Sequence, residues 1–106
     1  MLKRYVIERE IAGVGSLAAG ELANAAKTSN EAIAQVDGVQ WDHSYVADNK
    51  TCCVYLATGK GQILEHARRS GFPANRITEI SKIIDPTTQR GPRNGDAEAP
   101  ALQRGK

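Results

Sequence analysis

Most of the features that would settle a function at a glance are missing from this chain. No apolar run approaches the roughly 18 residues needed to cross a bilayer, and Met1-Leu2-Lys3-Arg4-Tyr5 leads into strand-like sequence, not a signal-peptide apolar stretch. The expected compartment is therefore the cytoplasm. There are only two cysteines, adjacent at positions 52 and 53, with no CxxC and no spaced framework of the secreted kind. Neighbours on a strand point to opposite faces, so the pair is expected to remain as two reduced thiols. A basic surface is lacking too. Residues 1–85 carry ten Lys/Arg and ten Asp/Glu, and residues 86–106 carry four and two, so the whole net charge of +2 lies in the tail. A nucleic-acid binder clusters its cations on the folded part, and on its helices only Arg68-Arg69 stand together. No Ser-His-Asp order, paired catalytic carboxylates or HExxH is visible, which gives a hydrolase no support. Gly59-Lys60-Gly61 follows a strand and precedes a helix, yet it lacks the GxxxxGK[ST] spacing of a phosphate loop.

What is present reads as one small domain. With 106 residues, 41% hydrophobic and 25% charged, the composition is that of a soluble globular protein whose core is small for its surface. Residues 3–9 alternate, with Tyr5 and Ile7 on one side and Val6 and Glu8 on the other, as a first strand. From Ser16 the period changes: Ala18, Leu22, Ala25, Ala26, Ser29, Ile33 and Val36 recur at three- and four-residue intervals, one stripe of a helix over 16–36. Ser16 is placed to cap it, and Asp37-Gly38 to end it. Residues 39–47 and 51–57 are rich in β-branched and aromatic side chains and flank Asp48-Asn49-Lys50, which predicts a hairpin. A second helix follows over 62–70, with Ile63, Leu64 and Ala67 as its buried stripe. Gly71 stops it, and residues 76–84 form a fourth strand. Residues 1–86 make the domain. The tail, 87–106, has almost no large apolar residues and is expected to be disordered.

The order β-α-β-β-α-β is the split pattern of a ferredoxin-like α+β sandwich, two helices covering one face of a four-stranded antiparallel sheet. Strands one, three and four nevertheless offer apolar residues to both faces. The bare face therefore calls for a second cover, most simply another copy of the chain in a two-fold homodimer.

The residues able to do chemistry gather on the hairpin. If Asn49 centres the loop, Tyr45 lies opposite Cys53 and His43 opposite Tyr55, on one face with Trp41, and His43 and Cys53 become diagonal neighbours. An imidazole and a thiolate suit nickel, zinc or copper, and Glu8 from a central strand could join them. The same pair reads more simply as a partly buried histidine and a small core cysteine, because no tight ligand spacing is present. His66, three residues after Ile63, either fills the edge of the helix packing or points toward the sheet to meet Glu65 or strand three.

Several segments also carry a resemblance. Tyr5-Val6-Ile7-Glu8-Arg9, Trp41-Asp42-His43-Ser44-Tyr45-Val46, Cys53-Val54-Tyr55, Glu65-His66-Ala67-Arg68-Arg69, Gly71-Phe72-Pro73-Ala74-Asn75-Arg76 and Ile84-Asp85-Pro86 resemble a small bacterial ferredoxin-like family that includes a nickel-binding actinobacterial protein. The likeness spans roughly residues 3–88. It implies a homodimer that binds nickel or a similar divalent metal, with Glu8, His43, Cys53 and His66 as the positions whose side chains could ligate it. Such affinity would weaken below about pH 6, as imidazole protonates. Two other readings stand beside it. One is a small oxygenase or isomerase with Tyr5, His43, Tyr45 and Tyr55 lining a cavity, and the other is a ligand-free structural or regulatory dimer.

Overall fold

Strict alternation decides β1. In Lys3–Glu10 of the computed structural model, which describes residues 1–91, Tyr5, Ile7 and Arg9 are buried on one face. Val6 and Glu8 lie on the other. The remaining elements are α1 (Ala19–Ile33), β2 (Val39–Val46), β3 (Lys50–Ala57), α2 (Lys60–Ser70) and β4 (Arg76–Ile80), joined in one sheet of order β2-β3-β1-β4 with antiparallel neighbours. This is the α+β arrangement expected of a ferredoxin-like fold, and both helices lie on the face that carries Tyr5, Ile7, Cys53, Tyr55 and Ala57. Those residues form the core with Val39 and Ile63.

The structure departs from the sequence reading in several places, each for a local reason. Helix α1 starts three residues late because Val14–Ser16 form a 3-10 turn, in which the Ser16 amide donates to the Gly13 carbonyl. The turn is pinned to the hairpin by the Gly15 amide, 2.9 Å from the Asp48 carbonyl oxygen. A Cβ at Gly15 would lie 2.6 Å from the Ala47 carbonyl oxygen, so no larger residue fits this approach. Ser16 is thus not the cap: the Glu21 carboxylate accepts from the Ala18 amide at 2.9 Å. Helix α2 is rotated from its expected stripe. Ile63 and His66 face inward, while Leu64 is 51% exposed. Strand β4 ends at Ile80 instead of residue 84, because Ile80 already pairs with Arg4 and almost no β1 remains to continue the ladder. Ile83 and Ile84 are exposed. Of the tail expected to be disordered, residues 87–90 belong to a second 3-10 turn, Pro86–Arg90, capped by Asp85, and residues 92–106 lie outside those described.

Gly38 closes α1 into β2 with φ +79°, and its carbonyl accepts from the Thr58 amide at 2.9 Å. A side chain in the left-handed region is strained. Gly38→Ala is expected to lower stability by about 1–2 kcal/mol, read from the urea midpoint, whereas Gly20→Ala inside α1 should raise it slightly.

Candidate functional site

The hairpin decides which residues can meet. It turns between Asp48 and Asn49, with the Ala47 amide donating to the Lys50 carbonyl at 2.8 Å, so the loop is centred half a residue before Asn49. His43 consequently pairs with Val54, Ser44 with Cys53 and Tyr45 with Cys52. A half-residue shift of the turn sends the side chains of β2 to the other face. A β-bulge between Trp41 and His43 then absorbs Asp42 and returns Trp41 to the helix side, opposite Tyr55.

The expected His43–Cys53 pair is therefore not formed. Cys53 is buried beneath the helices, within 3.5 Å of the Thr51 hydroxyl, whereas His43 is on the outer face. His66 lies on the inner side with Cys53, and Glu8 on the outer side with His43. Both thiols are free. The residue diagonal to His43 on its own face is Cys52, half-buried and paired with Glu8 on β1. Among the described residues no three His, Cys, Asp or Glu side chains converge as one metal ion would require. Glu8 is also occupied, 3.5 Å from Lys50 Nζ and 4.0 Å from Arg76 Nε.

His43 is nonetheless held in a defined pose. Its Nδ1 is 2.8 Å from Asp42 Oδ2, and its ring meets Tyr45 edge-on with centroids 5.0 Å apart. A carboxylate only accepts, so the neutral ring carries its proton on Nδ1 and its lone pair on Nε2. The bulge makes this contact by bringing Asp42 beside its neighbour, and Arg4 Nη1, 3.7 Å away, holds the same carboxylate from β1. Sequence pattern could not locate that bulge, since nothing in Trp41-Asp42-His43 departs from strand composition.

The inner face carries a second polar cluster, which sequence reasoning foresaw only for His66. That side chain is 1% exposed, with Nε2 at 3.2 Å from Ser29 Oγ on α1 and its ring 5.0 Å from that of Tyr55. Burial, and then the nearby Arg9 charge, pushes its pKa below that of ordinary imidazole, against the raising effect of the hydrogen bond that Nε2 donates to the Ser29 carbonyl. Burial likewise raises the Tyr55 phenol. Glu65 does not join them, because it is bound by Arg68 and Arg69 on the helix surface. Arg9 completes the cluster: Nη1 donates to the Pro73 carbonyl at 2.6 Å and Nη2 to the Tyr55 hydroxyl at 3.3 Å, with Phe72 beside the guanidinium. Of the tyrosines and histidine expected around one enzyme cavity, Tyr5 and Tyr55 are inside, while His43 and Tyr45 are outside.

The architecture places the protein among ferredoxin-like α+β proteins. It superposes on the crystal structure of SCO4226 from Streptomyces coelicolor A3(2) with a TM-score of 0.65 and 13% identity, over 76% of this chain and 99% of that one. The family described as "Nickel responsive protein SCO4226-like" matches residues 5–80, and the chain belongs to that family. No curated protein matches the sequence. Among the described residues no helix is long and apolar enough to cross a membrane.

Proposed function

We propose that the protein binds a divalent transition metal, nickel being the one its family name points to, as a two-fold homodimer formed through the outer face of the sheet. The observation that carries this reading is the Asp42–His43 contact. A histidine that ligates a metal through one nitrogen commonly donates the other N–H to a carboxylate, which fixes the tautomer and strengthens the ligand. Cys52, diagonal to His43, offers a thiolate of the soft kind that complements imidazole for nickel, and Glu8 remains a candidate across the row. One chain supplies too few donors for a complete site. A second chain facing the first across the two-fold axis doubles them, and the half-buried stripe of Val6, Leu56 and Ile80 gives the two sheets apolar area to bury. The cytoplasmic setting belongs to the same reading, with both thiols reduced.

Calorimetric titration of the untagged protein with nickel tests it. His43→Ala and Asp42→Asn are each expected to weaken binding by roughly 10- to 100-fold, with affinity falling on acidification as protons compete for imidazole. Cys53→Ser and His66→Gln, on the opposite face, should leave it unchanged. Absence of nickel binding by the wild-type protein would sink the reading. Sedimentation of a single chain at micromolar concentration, with and without nickel, would remove the dimer from it.

A further inference from the structure

We infer that the space between α1 and the sheet is a binding site for a small molecule with an apolar body and a single carboxylate, whose charge is balanced by Arg9, buried directly behind the cavity wall. This site is on the opposite face from His43 and does not rest on the metal reading. The cavity measures about 400 Å³, within the range of small-molecule sites, and its lining is mostly apolar, including Leu17, Leu22, Ala26, Trp41, Val46 and Phe72. It exists because α1 presents alanines to the sheet where larger side chains would close the gap. Ser29 on the helix and Thr51, Cys53 and Tyr55 on β3 supply its polar wall.

The charge pattern specifies the ligand. Arg4, Arg68, Arg69 and Arg76 each have a carboxylate within 4.0 Å at the protein surface. Arg9, only 2% exposed, has none among the described residues. Its partners are a carbonyl, a phenol and two aromatic rings, which satisfy its donors without neutralising it. A buried cation lacking its counter-charge is costly, and a ligand anion offsets that cost. Three of the residues touching the guanidinium, Tyr55, Phe72 and Pro73, line the cavity, as does Thr51, which pairs with Arg9 across the sheet. The Tyr55 hydroxyl, whose oxygen accepts from Arg9, adds a donor for the same anion. One guanidinium behind the wall of a mostly apolar chamber suits a monoanion. A phosphate dianion would call for a second cation, and no Lys or Arg lines the space itself.

The test compares 4-phenylbutyrate with 4-phenylbutan-1-ol, which share an apolar body and differ in charge, by titration of the full chain followed through backbone amide NMR shifts. The acid is expected to shift α1 and β3 signals saturably and to bind at least about tenfold more tightly than the alcohol. Arg9→Gln should erase that preference. Ala26→Trp, which fills the cavity and leaves Arg9 in place, should abolish acid binding while nickel titration is unchanged. Equal affinities for acid and alcohol, no response to either, or full acid binding by Ala26→Trp would each overturn the assignment. The first and third need no Arg9 variant to fold.

Discussion

Ile7→Ala is expected to lower the unfolding free energy by about 2–5 kcal/mol, the range for emptying a closed core position. Ile7 is 0% exposed at the centre of β1, with Cys53 opposite it on β3 and Ile77 opposite it on β4. Pinned on both sides by ladder hydrogen bonds, the sheet cannot collapse into the gap, so the cavity persists. A domain of this size has about 5–15 kcal/mol in all, and the variant loses a large part of it. The comparison is Val6→Ala, one residue away on the outer, half-buried face. Urea unfolding should show a far smaller midpoint shift for Val6→Ala in the monomeric protein, with the slope unchanged in both. Equal losses would contradict the assignment of the inner face as the core.

The second large effect is a loss of stability in mild acid that traces to His66. Its folded-state pKa is depressed, chiefly by burial and then by Arg9. The unfolded chain therefore takes up a proton more readily than the folded one. Above the unfolded value of about 6.5 both forms are neutral and stability is whole. As pH falls through that value toward the folded pKa, stability drops by up to about 1.4 kcal/mol per pH unit, and below the folded pKa it falls no further from this source. Urea midpoints between pH 7.5 and 5 should decline in the wild-type protein and flatten in His66→Gln. A wild-type decline left intact in the variant would assign the effect to another group.

How much of this was legible in the sequence follows from what sets each feature. Periods of two and of three to four residues expose the fold because Tyr5-Val6-Ile7 and the Ala25-to-Ile33 stripe are governed by local geometry. The outer site was legible only as a set of residue types. Whether His43 meets Cys52 or Cys53 depends on a half-residue shift in the turn, and a composition of Asp48-Asn49-Lys50 accommodates either centre. Asp42 had no mark of a bulge. His66 was recognised as a residue near the packed stripe, yet its full burial depends on the rotation of α2, which Leu64 made ambiguous by being apolar and outward. Arg9 escaped notice altogether. An arginine at a strand end ordinarily reaches solvent, and its enclosure by Tyr55, Phe72 and Pro73 is created by segments 46 to 64 positions away.

The bulge at Asp42 has one more consequence, for how molecules of this protein can aggregate. It lies on β2, an outermost strand, and an outermost strand with regular spacing is a template onto which a foreign strand can zip. Breaking the regular spacing of amides and carbonyls at Asp42, beside an ionised carboxylate, denies such a strand its footing, and the opposite margin, β4, is only five residues long. Lateral polymerisation is thereby discouraged at both margins, so the homodimer proposed above would use the broad surface of the layer and not its edges.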